Sequence, residues 1–173
     1  MGSFKIEEAI NNYLDSFEQK IKSYPHYSDI VERMRDAQKK IGYEFNNIRF
    51  LMLAFCRTMN RYGNYMNDTL AQVGDAILDA IISERFFAEG KNKKEIDDIR
   101  QQLGKNGNLY SISTQQSLFS FCYHEQCFHD EAPGNNQVAA SKHDSFIEAI
   151  IGAIYLDGGM DEARKWIYEN IMN

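Results

Sequence analysis

Apolar positions recur at helical spacing along almost the whole chain, and no segment alternates convincingly as a strand would. In FKIEEAINNYLDSFEQKIKSY, Phe4, Ile10, Leu14, Phe17 and Ile21 fall near one helical face. Pro25 ends that segment by pushing Tyr24 out of the α region. YSDIVERMRDAQKKIG predicts a second helix, with Ser28 or Asp29 as N-cap and Gly42 as stop. NNIRFLMLAFCRTMN predicts a third, capped near Asn46 or Asn47, and RYGNYMND reads as a loop. TLAQVGDAILDAIISERFFAEG is long and strongly apolar, which predicts a buried central helix ended by Gly90. KEIDDIRQQLG is a short helix stopped at Gly104, and GNLYSISTQQSLFSFCYHEQCF is a further helix or a broken pair. Beyond the polar HDEAPGNNQVAA, SKHDSFIEAIIGAIYLDGG is apolar nearly all round and stops at Gly158-Gly159. MDEARKWIYENIMN closes the sequence with Asp161 as N-cap. The expected fold class is all-α, a single domain of about seven to nine helices.

Composition narrows the partners. With 173 residues, 43% of them hydrophobic and 13% aromatic, the chain can build a real core. Its net charge is −6, from 19 Lys and Arg against 25 Asp and Glu. Such a chain has no global pull on nucleic acid or an anionic membrane, so a polyanion must be held by a local basic patch or by metal ions. No apolar run reaches the roughly 18–20 residues of a membrane span. MGSFKIEEAI has neither a signal-peptide shape nor, with Ile6 at its sixth position, an acylation signal. The expectation is a soluble, cytoplasmic protein with no membrane partner and no small-molecule cofactor. Three cysteines do not suggest a disulfide scaffold. Cys122, His124, Cys127 and His129 in CYHEQCFH do not make a zinc site if the stretch is one helix, because they do not share a face. The plainer expectation is a helix end with Cys and Phe inward and His outward.

Two acids change the picture. Asp75 in QVGDAIL and Glu148 in FIEAIIG each stand inside an apolar helical pattern. An ionised carboxylate buried among Val, Ile and Leu is costly unless paired or bound to metal. The structural alternative is a backbone N–H for Asp75 and an arginine such as Arg100 for Glu148. Gly74 would let another backbone or a ligand approach closely. Asp144 stands one turn before Glu148, toward the same face. Three acids on two apolar helices describe a hard-cation site for Mg²⁺ or Mn²⁺, and such sites hydrolyse phosphodiesters.

The residues also resemble a family. NDTLAQVGDAILD is similar to the ribonuclease III signature N-E-R-L-E-F-L-G-D-A-V-L, and FIEAIIGAIYLDGG to the family's second signature D-x-F-E-A-x-x-G-A-I-Y-L-D-G-G. IGYEFNNIRFLMLAF resembles its opening helix pair, and KEIDDIR its G-E-L-S-x-L-R segment. The resemblance runs from about Lys39 to the last residue. It implies an all-α endonuclease domain over 36–173, preceded by an N-terminal helical extension over 1–35, with no RNA-binding domain. It implies a metal-dependent endoribonuclease that cuts double-stranded RNA as a homodimer. Asp75 and Glu148 match catalytic, metal-binding acids of the two signatures. Asp68 stands where the family has a glutamate, and Glu95 matches the acid of the G-E-L segment.

Two positions depart. Ala71 replaces a signature glutamate, and Ser145 replaces the second-signature aspartate. One reading is a catalytically degenerate member serving as an RNA-binding or assembly module. The other is an enzyme with two carboxylates, similar to the mini-ribonuclease III branch in LAQVGDA and SFIEA, although that branch lacks the GYEF helix pair. Gln72 and Asp144 would supply substitute oxygens, each one residue from the usual position. Duplex RNA would be met through its phosphates by Lys91, Lys93, Lys94, Lys105 and Lys142, with Asn106 and Asn108 as hydrogen-bonding groups. The dimer contact is expected around Asn67 to Asp75: the apolar positions around Phe55, Leu70, Val73 and Ile77 exceed the needs of one small core, and the family resemblance supplies the pairing.

Overall fold

The computed structural model describes residues 5–57, 67–104, 106–125, 128 and 140–173, without the side chains of 106–107 and 140–145. Helices dominate them: α1 (Ile6–Ile21), α2 (Tyr27–Ile41), α3 (Arg49–Phe55), α4 (Asn67–Ala88), α5 (Lys93–Leu103), α6 (Asn106–Gln115), a 3-10 turn at Leu118–Phe121, α7 (Ala140–Gly158) and α8 (Met160–Asn170). The chain is all-α, as its periodicity requires.

Helix α7 is the hub. It packs on α3, α4, α6 and α8, and its pairing with α4 is the most extensive in the molecule. Ile147, Ala149, Ile150, Ile151, Ala153 and Ile154 are all fully buried. That is why its sequence shows no polar stripe: several elements cover it at once. α4 buries Leu70, Ala71, Gly74, Ile77, Leu78, Ile81 and Ile82 and leaves its other side outward.

Helix α1 joins the same core through Leu14, Phe17 and Ile21. Arg49 on α3 ties it down by pairing with Asp15 and, at 3.7 Å, with Glu18. The Tyr27 hydroxyl donates to Glu18 at 3.0 Å. Toward the start of α1, Ile10 and Tyr13 line an apolar cleft together with Leu53, Thr69 and Val73.

Several caps differ from expectation. α2 begins after His26, with no side-chain cap, so Ser28 and Asp29 lie inside its first turn. Its stop is as expected: Gly42 adopts the left-handed conformation at φ 75°, which favours glycine. α8 begins after Gly159, and Asp161 instead accepts from Arg164 at 2.6 Å. Asn47 Oδ1 accepts from the Arg49 amide at 3.2 Å, as a cap would. A longer-range cap adds to it. The carboxylate of Asp157, near the end of α7, accepts from the backbone amides of Asn46 and Asn47, both at 2.8 Å, and from the Tyr43 hydroxyl at 3.0 Å.

The segment read as a helix end around Cys122 is extended instead. Tyr123 makes single-residue β pairings with Cys56 and Phe128. Its amide donates to Phe55 O at 3.1 Å, its carbonyl accepts from Arg57 N at 2.7 Å, and its hydroxyl donates to Met52 O at 2.7 Å. Left-handed Ser117 (φ 51°) precedes the 3-10 turn, and both lie between α6 and this segment. Cys122 and Phe128 are buried as expected, but not on a helix. Cys127 and His129 lie outside the described residues.

Candidate functional site

The site rests on the crossing of α4 and α7. A Cβ built on Gly74 would lie 1.7 Å from the Glu148 carbonyl oxygen. A Cβ on Gly152 would lie 2.3 Å from the Leu70 carbonyl oxygen. The contact is reciprocal: Gly74 follows Leu70 by one turn, and Gly152 follows Glu148 by one turn. Two helices come this close only where neither has a side chain in the seam. Asp75 directly follows Gly74, so the crossing brings its backbone beside that of Glu148.

The two acids are not buried alike. Asp75 is exposed and Glu148 half-buried. The expected desolvation of Asp75 is therefore corrected. The apolar face of α4 is complete without it, and position 75 falls on the outward side of the helix. Among the described residues no side chain pairs with Asp75. Glu148 does interact, while Arg100, suggested as its structural partner, pairs with Asp79. Ala71 is 4% exposed, on the buried face of α4.

The remaining predicted residues divide into three groups. Asp68 and Gln72 are exposed on the outward side of α4. Glu95 acts locally, since its carboxylate accepts from Asn92 N at 2.8 Å while Asn92 Oδ1 accepts from Glu95 N at 3.1 Å. This reciprocal capping box starts α5. Lys93 and Lys94 are exposed in the first turn of α5, and Lys91 stands 3.9 Å from Glu95. Asn108, expected to face RNA, donates from its amide to Leu103 O at 2.9 Å and so closes α5. Lys105 and the side chains of Asn106, Lys142, Asp144 and Ser145 lie outside the described residues.

The apolar excess expected at the dimer contact is also corrected. Phe55, Leu70 and Ile77 are buried within their own core, at 0%, 3% and 8% exposure. Val73 is half-buried and faces α1. The outward side of α4 keeps Asp68, Thr69, Gln72, Asp75 and Ala76.

Sequence reading passed over Asp79 and its pairing with Arg100. Asp79 stands one turn after Asp75, and Arg100 on α5 grips both of its oxygens: Nε donates to Oδ1 at 3.0 Å and the second terminal nitrogen to Oδ2. The D-x-x-x-D spacing was visible in the sequence, but its partner 21 residues away was not. A second polar centre lies elsewhere. Complete burial pushes the Tyr123 phenol well above its ordinary range, and the neighbouring Cys56 adds to this. Burial pushes the Cys56 thiol up to about 12, against the opposing effects of Tyr123 and Lys20. Such a thiol stays protonated and inert.

Among the described residues, no three His, Cys, Asp or Glu side chains gather as a metal cluster. The crossing brings the backbones of two acidic residues, Asp75 and Glu148, side by side. That donor set is chemically suited to a hard cation that keeps water in its other positions.

Comparison with known proteins gives a consistent result. A family model described as Ribonuclease-III-like matches residues 55–173. The chain is 31% identical over 147 residues to Ribonuclease 3 of Clostridium tetani, covering 81% of this chain and 60% of that protein. It is 29% identical over 148 residues to Ribonuclease 3 of Fusobacterium nucleatum, covering 82% and 62%. The chain thus spans about 60% of the length of the curated relatives it matches. A solved nuclease domain of ribonuclease III from Campylobacter jejuni, described for structural flexibility in a region involved in dimer formation, superposes with a TM-score of 0.66 at 24% identity. That match covers 79% of this chain and 97% of the other. A second structure of that domain gives 0.67 at 24% identity, covering 79% and 92%. At this identity the structural likeness speaks for the fold.

Proposed function

This chain belongs to the ribonuclease III family, and from that membership we propose that it is a metal-dependent endoribonuclease that cleaves double-stranded RNA as a homodimer. The carrying observation is the α4/α7 crossing, where Gly74 meets the backbone of Glu148 and Asp75 follows directly. Asp75 and Glu148 are the proposed catalytic pair and would hold Mg²⁺ or Mn²⁺, with Asp144 as a further ligand. The bound ion would activate water and neutralise charge on the scissile phosphate. Solvent exposure of Asp75 leaves its carboxylate within reach of a duplex lying across α4. Gln72, Asp68, Glu95 and Ser145 are the proposed auxiliary groups.

RNA binding falls to lysines. Lys93 and Lys94 stand exposed at the start of α5, and Lys105 and Lys142 are the further proposed contacts. With so few cations in an acidic chain, binding should be weak and salt-sensitive, with a slope proportional to the number of phosphates contacted. The homodimer would form through isologous contacts of the segment around Asn67 to Asp75 from both subunits. The division into an extension over 1–35 and a nuclease domain over 36–173 belongs to the same proposal, as does a cytoplasmic location without a small-molecule cofactor. No described helix is long and apolar enough to cross a membrane.

The direct test is incubation of long duplex RNA with the protein and Mn²⁺. Shortened duplexes with two-nucleotide 3′ overhangs are the expected product. Asp75→Asn and Glu148→Gln should abolish cleavage while the protein stays folded. A second reading has its own observation: Ala71 and Ser145 stand where the family signatures carry acids. If neither Mg²⁺ nor Mn²⁺ supports cleavage of any duplex, the chain is an RNA-binding or assembly module built on the nuclease fold.

A further inference from the structure

Two carboxylates lie one turn apart on α4, and they are treated differently. Asp75 is exposed, with no side-chain partner among the described residues. Asp79 is held by both of its oxygens in the fork of Arg100. A two-point guanidinium–carboxylate contact fixes geometry as well as charge. Here it is partly shielded from water, with the Arg100 side chain 34% and the Asp79 side chain 39% exposed. Asp97, on the same helix as Arg100, stands 3.6 Å from another nitrogen of the guanidinium.

The setting makes this pair more than a surface ion pair. Helix α5 has no fully buried residue. It leans on the core through half-buried Ile99 and Leu103. Arg100, lying next to Ile99, therefore supplies a directional tie between α5 and the helix that carries Asp75. Residues four apart on a helix have Cβ atoms about 6 Å apart. An unpaired Asp79 would thus place a second negative charge within reach of any cation held at Asp75.

We propose that Arg100 is a positioning residue: by occupying both oxygens of Asp79 it keeps that carboxylate out of the cation site and limits the ion's hold to Asp75 and Glu148. This rests on the reading that Asp75 and Glu148 bind a divalent ion. Its consequence is moderated affinity. A cation held by few protein oxygens keeps positions for water and for a substrate phosphate, whereas an added carboxylate would bind it more tightly and compete for those positions.

The test is Mn²⁺ binding to the full chain at low salt, by calorimetry or by electron paramagnetic resonance, without RNA. Asp75→Asn should weaken binding, which checks the underlying site. Arg100→Gln should tighten binding roughly tenfold, the effect of one unit charge about 6 Å from a divalent ion in a water-like medium. Adding Asp79→Asn to Arg100→Gln should return the affinity to the wild-type value. Circular dichroism checks that each variant keeps its helices. A purely structural pair would change thermal stability and leave Mn²⁺ affinity alone. Unchanged affinity in Arg100→Gln, or a gain that survives in the double variant, overturns the proposal. Wild-type binding that is absent, or indifferent to Asp75→Asn, removes the cation site itself and this role with it.

Discussion

Gly74 lies against the backbone of Glu148 with no room for a methyl group: a Cβ there would stand 1.7 Å from the carbonyl oxygen. The obstacle is main chain in the middle of a buried helix, which cannot rotate aside as a side chain can. Gly74→Ala should therefore force α4 and α7 apart and cost about 3 kcal/mol or more. Gly152→Ala, with its Cβ 2.3 Å from the Leu70 carbonyl oxygen, should behave alike. Urea unfolding of both variants checks this, and near-wild-type midpoints would refute the close crossing.

Ala71→Glu tests whether the missing signature acid can be restored. Position 71 is 4% exposed, so a charged side chain there is desolvated. In EDTA the variant should melt about 5 °C below wild type, corresponding to roughly 2 kcal/mol for a chain of this size. Mn²⁺ should recover much of that loss if position 71 faces the cation, and duplex cleavage should rise. An equal loss with and without Mn²⁺ would place position 71 away from the ion.

Alkaline pH should destabilise the fold through Cys56. The folded thiol titrates near 12, raised by burial from an ordinary value of 9.0. Its stabilising contribution is complete below pH 9. It is lost as pH rises toward 12, because the unfolded chain releases the proton first. Between pH 7 and pH 10 this one group should remove about 1.4 kcal/mol. Cys56→Ala should flatten the decline by that amount in denaturant titrations at the two pH values. Tyr123, raised for the same reason, steepens the fall above pH 10 in both proteins.

Asp157→Ala should be costly for a residue at the end of a helix. It removes the acceptor for the Asn46 and Asn47 amides and for the Tyr43 hydroxyl. Losing a carboxylate that satisfies several donors should cost about 2–3 kcal/mol, against about 1 kcal/mol for Tyr43→Phe, which loses one bond. Thermal melts of the two variants give the comparison.

What the sequence disclosed follows from range. Helix periodicity, the Gly42 stop and the apolar character of α4 and α7 are local, and the structure has them. Family membership was carried by short ordered motifs that survive at about 30% identity. Less legible was anything decided across the chain. An apolar surrounding sequence suggested that Asp75 is buried, yet a helix covered on one side can present an acid outward. Phe55, Leu70 and Ile77 looked surplus because their partners on α7 lie far away in sequence. The extended segment at Tyr123 was hidden because its pairing partner, Cys56, belongs to another part of the chain.

The Asp157 cap also orders events in time. α3 is a helix of 7 residues, too short to persist alone in water. The amides just before it, of Asn46 and Asn47, find their acceptor in Asp157, 110 residues beyond Asn47. During synthesis, then, α3 leaves the ribosome long before residue 157 exists, and its apolar run FLMLAF must wait uncovered. The nuclease fold should close only when α7 arrives, so a nascent chain stalled before that helix is the species most exposed to aggregation and most in need of a chaperone.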